Sequence, residues 1–96
     1  MQPDMLITKP DGSRFVVEVK LGHGKTHFSS IAQMDSMASQ VARFTGSDLV
    51  KPVLVTNEDV SPSIEATASE IGVRIVPASG TVSEIADDVV QVIKSI

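Results

Sequence analysis

The sequence predicts an α/β domain in which helices cover both faces of a mixed sheet of about four strands. Two observations lead to this prediction. Apolar, β-branched segments alternate with amphipathic segments, and the resulting element order is ββαβαβα. The 96-residue chain shows no repeat, low-complexity tract or linker, so residues 1–96 are expected to form a single domain around one core.

The first two strands are predicted to form a β-hairpin. Residues 5–8 and 14–20 are rich in apolar and β-branched side chains, and the segment 9–13 between them reads Lys-Pro-Asp-Gly-Ser, which is typical of a turn. Residues 21–26 are too polar and too rich in glycine to continue the second strand. They predict a loop with two flexible points beside the end of the hairpin.

A long amphipathic helix follows this loop. Its predicted N-cap is Ser29 or Ser30, and it ends at Gly46. Apolar residues recur at steps of three and four, which predicts one face packed on the sheet. This stripe consists of Ile31, Met34, Met37, Ala38, Val41 and Phe44.

The remainder of the chain alternates strands and helices. Residues 52–56 and 73–76 are short apolar runs, as expected for strands covered on both faces. Between them, Ser61 and Pro62 predict the start of a helix that ends at Gly72. The segment 81–84 has capping-box spacing and begins a last helix that reaches the C-terminus. The apolar stripe of this helix consists of Val82, Ile85, Ala86, Val89, Val92, Ile93 and Ile96.

Composition excludes several classes of function. The formal net charge of −4 argues against a protein that binds nucleic acid mainly through a basic surface, and three Phe without Trp or Tyr argue against base stacking. The chain has no cysteine, so thiolate chemistry is excluded. It also lacks a long apolar run and a secretory signal, which predicts a soluble cytoplasmic protein with no membrane partner.

Cross-strand pairing in the hairpin places charged side chains together. If the turn is centred on Asp11, paired residues have numbers that sum to 22, and Asp4 then lies opposite Glu18. Lys20 projects to the same side as Glu18 because strand side chains alternate. A register shifted by one residue would turn Glu18 away from Asp4, and the Glu-Val-Lys tripeptide would then be incidental in an unrelated α/β domain.

Two facing carboxylates and a lysine suit a divalent-metal site for phosphodiester cleavage. Like charges directly opposite each other are destabilising unless a cation compensates them. Mg²⁺ prefers one or two carboxylate ligands and fills its other positions with water and substrate phosphate. A neighbouring lysine can orient the attacking water and hold the phosphate. We therefore expect Asp4, Glu18 and Lys20 to form such a site.

At these residues the sequence resembles the PD-(D/E)xK nuclease superfamily. Pro3-Asp4 is followed after thirteen residues by Glu18-Val19-Lys20. Three later segments, residues 52–57, 61–62 and 71–76, look like the C-terminal half of Mrr-like restriction endonuclease domains. The resemblance implies a restriction endonuclease-like three-layer sandwich that cleaves DNA with Mg²⁺ or Mn²⁺. It makes Asp4 and Glu18 metal ligands, Val19 a ligand through its backbone carbonyl, and Lys20 the catalytic lysine.

The sequence departs from that family in two ways. Members usually have a helix and a strand before the Asp motif, whereas this sequence starts three residues before Asp4, which implies a truncated domain. A second copy that covers the exposed edge would make the protein a homodimer. Many Mrr-like domains also have Gln where this chain has Glu18. The alternative function is a non-catalytic nucleic-acid-binding or assembly module that keeps the nuclease scaffold.

Three more residues are candidates for substrate binding. Gln33 lies thirteen residues after Lys20, where some relatives place a Gln that holds water or phosphate near the metal. Lys25 and His23, in the loop after the hairpin, could contact a DNA backbone. His23 and His27 are four residues apart, as in some zinc sites, but the segment contains glycine and no third ligand is apparent.

Overall fold

The computed structural model describes residues 4–22, 24–46, 49–78 and 82–95. The element order is the predicted ββαβαβα. The elements are β1 (Met5–Thr8), β2 (Arg14–Lys20), α1 (Phe28–Thr45), β3 (Val50–Thr56), α2 (Pro62–Ile71), β4 (Arg74–Pro77) and α3 (Val82–Ser95). None of the helices in these ranges is long and apolar enough to cross a membrane.

The four strands form one mixed sheet in the order β1-β2-β3-β4. Strand β1 is antiparallel to β2, whereas β2, β3 and β4 are mutually parallel. Ile7 pairs with Phe15 and Leu6 pairs with Val16, so paired numbers sum to 22 as predicted. The hairpin register is therefore confirmed, and the one-residue shift that would turn Glu18 away is excluded.

The hairpin turn is held by backbone and side-chain hydrogen bonds. The Gly12 N–H donates to the Lys9 carbonyl at 3.0 Å, and Gly12 has a φ of +92°, which favours glycine. The Asp11 carboxylate accepts from the Ser13 hydroxyl at 2.6 Å and from the Ser13 N–H at 2.9 Å. These two hydrogen bonds lower the pKa of Asp11 below its usual value.

Helices cover both faces of the sheet and make a three-layer sandwich. On one face, α3 packs against side chains of the strands in a cluster of Phe15, Val17, Val53, Val55, Val76, Ile85, Val89 and Ile93. On the other face, α1 and α2 pack in a second cluster of Ile31, Met34, Leu54, Ile64, Ala68 and Val73. Side-chain alternation along β2 therefore sends Phe15, Val17 and Val19 towards α3.

Helix α1 differs from its prediction in where it begins and in the burial of its last turn. It begins at Phe28 after an N-cap at His27, so the predicted N-cap at Ser29 or Ser30 is wrong. Phe44, which was expected in the buried stripe, is 92% exposed. Val41 is half-buried, so burial fades over the last turn of the helix while the apolar period continues. The predicted end at Gly46 is confirmed by its left-handed conformation.

The predicted limits of α2 are confirmed. The Ser61 hydroxyl accepts from the Ile64 N–H at 3.2 Å, Pro62 is the first helical residue, and Gly72 ends the helix with a φ of +87°. Strand β3 begins two residues before its predicted start, and β4 is displaced by one residue.

The apolar stripe of α3 is confirmed at its centre. Ile85, Val89 and Ile93 are buried and Val92 is half-buried. Ala86 is exposed, so its predicted place in the stripe is wrong. Thr81 and Ile96, which were predicted at the ends of this helix, lie outside the described residues.

Candidate active site

Glu18 and Lys20 lie on the face of the sheet that carries α1 and α2. Their neighbours in the parallel register are Leu54 and Thr56, and Leu54 belongs to the core beneath those helices. Glu18 and Lys20 are both half-buried, at the carboxyl-terminal half of β2. The predicted common face of these two side chains follows from this register.

Asp4 is joined to β2 by a hydrogen bond from the backbone. The Val19 N–H donates to Asp4 Oδ2 at 2.8 Å, which places this carboxylate against the peptide that links Glu18 to Val19. The N–H and C=O groups of one strand residue face the same neighbouring strand. The Val19 carbonyl therefore faces the same side of β2 as its N–H, towards Asp4. The structure thus brings the Asp4 carboxylate to Val19, and the bond uses the Val19 amide.

The Lys20 ammonium is held by the first turn of α1. Its Nζ donates to Ser30 Oγ at 3.1 Å, and Ser30 is only 8% exposed. Sequence reasoning had assigned Ser30 to helix capping and so missed this contact. The only sequence signal was the short β2–α1 connection, which returns the start of α1 to the end of β2.

Two loops at this edge of the sheet are joined to each other. The Gly22 N–H donates to Asn57 Oδ1 at 2.9 Å. Further along, the Asp59 N–H donates to the Gly24 carbonyl and the Thr26 N–H donates to the Asp59 carbonyl, each at 2.9 Å. This ladder extends the parallel pairing of β2 and β3 beyond the strands. The loop predicted to have two flexible points is thus tied to the segment after β3.

Two other predicted site residues lie on the loop and on the helix that follow β2. Lys25 is exposed on the tied loop, at the same edge of the sheet as Lys20. Gln33 is exposed on α1, one turn after Ser30. His23 lies outside the described residues. Within the described ranges, no group of three or more His, Asp or Glu side chains is close enough to hold a metal ion.

Two buried threonines flank the candidate site and differ in their hydrogen bonding. Thr56 Oγ1 accepts from the Glu58 N–H at 3.0 Å and contacts Glu58 Oε1 at 3.4 Å. Thr26 is equally buried, but its hydroxyl has no hydrogen-bond partner among the described residues. A buried hydroxyl without a hydrogen-bond partner lowers the free energy of unfolding, so the Thr26 hydroxyl is expected to destabilise the fold.

A groove between two helices lies away from these residues. It has a volume of about 920 Å³ and runs between α1 and α2, near the points where β3 and β4 begin. Asp35, Glu65, Lys51 and Arg74 line it, and none of the predicted site residues does. The candidate site is instead on the surface at the opposite end of the parallel strands, where their carboxyl ends lie.

Comparison with solved structures identifies the fold. The chain is similar to EndoMS in its apo form, with a TM-score of 0.62 over 78% of this chain and a sequence identity of 20%. It spans 33% of the EndoMS chain. The fold is therefore restriction endonuclease-like, as the sequence predicted. No family model and no curated protein matches the chain.

Proposed function

We propose that this protein is a Mg²⁺-dependent nuclease that hydrolyses phosphodiester bonds in DNA. The observation that carries the proposal is the contact of the Asp4 carboxylate with the Glu18–Val19 peptide, with Lys20 on the same face of the hairpin as Glu18. The fold supports it, because EndoMS is a PD-(D/E)xK-type nuclease and the motif residues of this chain lie on the hairpin. A closer relation to Mrr-like domains is part of the proposal.

The residues present fit a Mg²⁺ or Mn²⁺ ion. Two carboxylates and one backbone carbonyl supply only oxygen donors, and Mg²⁺ usually keeps several waters rather than a complete set of protein ligands. Asp4 Oδ2 accepts one N–H, but a carboxylate has about four acceptor positions and so retains capacity for a cation. Asp4, Glu18 and the Val19 carbonyl would hold the ion.

Each side chain has a defined part in the proposed reaction. The bound ion would lower the pKa of water and offset the charge that develops on the phosphate. Asp4 and Glu18 fix its position against the hairpin. The Lys20 ammonium binds a phosphate oxygen and orients the attacking water, and the exposed Lys25 contacts the DNA backbone at the same edge. Gln33 and His23 complete the proposed substrate contacts.

A homodimer belongs to the same proposal. Strand β1 is at the edge of the sheet, and it exposes 50% of Leu6 and 37% of Met5. An edge strand with apolar side chains favours pairing with another chain. A second copy at this edge would cover Leu6 beside the Asp4 carboxylate. We place this assembly in the cytoplasm.

A second function is favoured by one observation. The described residues provide two carboxylates at the hairpin but no cluster of three potential ligand side chains. A module that binds nucleic acid or assembles with a partner, and that retains the nuclease scaffold without catalysis, would need no more than this. Metal binding and cleavage must therefore be measured separately.

Calorimetric titration with Mg²⁺ and a plasmid-nicking assay would test the proposal on the wild type and two variants. Asp4→Asn keeps an oxygen that can accept from the Val19 N–H but removes the charge, so metal binding should be lost with little change in folding. Lys20→Ala should bind metal normally and nick DNA at least about 100-fold more slowly. Lys94→Ala, at an exposed position on α3, is the matched control for loss of a lysine.

Three outcomes would contradict the proposal that this protein is a metal-dependent nuclease. No heat of Mg²⁺ or Mn²⁺ binding to the wild type would reject a metal-dependent nuclease. Nicking that persists in both Asp4→Asn and Lys20→Ala would indicate a contaminant. Binding of DNA together with metal, but without cleavage, would establish the non-catalytic module.

A further inference from the structure

We propose that Ser30 is the positioning residue for Lys20. The inference rests on the proposed function, because it concerns how the lysine of that site is held. Ser30 Oγ lies 3.1 Å from Lys20 Nζ, and the two residues belong to different elements. The hydroxyl therefore fixes the position of the ammonium relative to Asp4 and Glu18 without contacting the substrate itself.

Lys20 needs such a partner because of its own flexibility. A lysine side chain has a flexible four-carbon stem and loses about 2 kcal/mol of rotamer entropy when it is held in one geometry. Lys20 is the last residue of β2 and is half-buried. A phosphate-binding group acts efficiently only when it is in place before the substrate arrives.

Ser30 is suited to this role by its place in α1. Its N–H donates to the His27 carbonyl at 3.1 Å, and its side chain is 8% exposed. Since the helix begins at Phe28, Ser30 is inside the first turn and its hydroxyl is not used as an N-cap. Ile31 and Met34 then anchor the same segment in the core on the sheet.

The chemistry of the acceptor also favours a hydroxyl. A carboxylate at this position would pair with the ammonium and neutralise its attraction for a phosphate. A serine hydroxyl is a neutral acceptor, so it orients the ammonium and leaves the positive charge available. Ser30 thus links helix α1 to the charged face of the hairpin.

Ser30→Ala should slow nicking through kcat. The expected loss is about 10- to 100-fold in kcat with little change in KM, because an unpositioned lysine still attracts DNA but no longer stabilises the reacting phosphate. Ser30→Thr retains the hydroxyl and should restore most of the rate. Ser29→Ala, at the exposed preceding position, is the matched control and should behave as wild type.

Acetylation of lysines, followed by peptide mass spectrometry, tests the contact without any activity. In Ser30→Ala the rate at Lys20 should rise about fivefold relative to exposed Lys94, because the hydrogen bond that restrains the amine is lost. Ser29→Ala and Ser30→Thr should leave the ratio unchanged. Thermal unfolding verifies that all three variants fold.

The two experiments separate this inference from the proposed function. If the wild type cleaves no nucleic acid, the nuclease proposal fails, and the acetylation rate still shows whether Ser30 restrains Lys20. An unchanged acetylation ratio in Ser30→Ala would overturn the positioning role. So would a kcat in folded Ser30→Ala equal to that of Ser29→Ala.

Discussion

The two faces of strand β2 have opposite characters although their residues alternate along one seven-residue segment. Towards α3, Phe15 and Val17 are almost completely buried in an apolar cluster. Towards α1, Val16 is buried but Glu18 and Lys20 are half-exposed and charged. On this face burial decreases along the strand, from Val16 to Glu18 and Lys20, and Lys20 lies beside the first turn of α1.

This contrast shows how a small domain can carry charge beside its core. The α3 face supplies burial that does not depend on any ligand, since each fully buried apolar side chain contributes about 1.5–3 kcal/mol. The α1 face can then hold the charged side chains of Glu18 and Lys20, which are half-exposed and reached by water. We expect substitutions on the two faces to affect different measurements.

The largest effect is expected from Phe15→Ala on the α3 face. It should lower the free energy of unfolding by about 3–5 kcal/mol, because it leaves a cavity in the core. Glu18→Gln, three residues further on, should change this free energy by less than about 0.5 kcal/mol while abolishing the heat of Mg²⁺ binding. Urea unfolding and calorimetry would measure both quantities.

Phe15→Leu serves as a control for the core variant, since it keeps an apolar side chain and should cost much less than Phe15→Ala. The expected difference between the two faces of β2 would be contradicted if Glu18→Gln destabilised the protein as strongly as Phe15→Ala. Glu18 would then act as a structural group of the α1 face.

An intermediate effect is expected at the two buried threonines near the site. Thr56→Val should destabilise the protein by about 1–2 kcal/mol, because it removes the acceptor of the Glu58 N–H. Thr26→Val replaces a buried hydroxyl that has no partner among the described residues with a methyl group of similar size. It should stabilise the protein by about 1 kcal/mol.

Urea midpoints of the two threonine variants, compared with wild type, would decide the sign at each position. If Thr26→Val were as destabilising as Thr56→Val, the Thr26 hydroxyl would have a partner in solution, such as bound water.

The smallest effect is expected at the hairpin turn, outside both faces. The Ser13 hydroxyl and N–H bind the Asp11 carboxylate and lower its pKa below the ordinary value of 3.8. A group with a lowered pKa in the folded state stabilises the protein above its unfolded pKa and loses that contribution as the pH falls through the folded pKa. Wild type should thus exceed Asp11→Asn in stability at about pH 6, and the difference should shrink as the pH falls through the lowered pKa of Asp11.

Thermal unfolding of both proteins across this pH range is the measurement. Ser13→Ala removes the largest cause of the lowered pKa, so the pH dependence attributable to Asp11 should shrink in that background. A difference between wild type and Asp11→Asn that did not vary with pH would contradict the assignment.

Local sequence signals predicted the hairpin and α2 well. The turn residues 9–13 and the alternation of residues 14–20 determine the register, and Ser61-Pro62 with Gly72 determine the helix ends. In each case the decisive interactions are between residues close in sequence. The restriction endonuclease-like fold was likewise predicted from the order of these elements and the resemblance they carry.

Features that depend on distant segments were predicted poorly. The apolar period of α1 continues to Phe44, but periodicity does not show where the sheet beneath the helix ends. Ser30 looked like a helix cap, because its contact with Lys20 exists only after α1 packs on the sheet. The candidate metal and substrate contacts remain predictions, since they depend on molecules that bind to this surface.

Because the Val19 N–H donates to the Asp4 carboxylate, hydrogen exchange at this amide reports on the local structure of the hairpin. The Val19 amide donates to the side chain of Asp4, so its rate of hydrogen exchange follows the docking of one carboxylate. Amides of the central sheet exchange only when the core opens. Protection of this one amide would therefore show when the Asp4 end of the hairpin is assembled, independently of the stability of the whole domain.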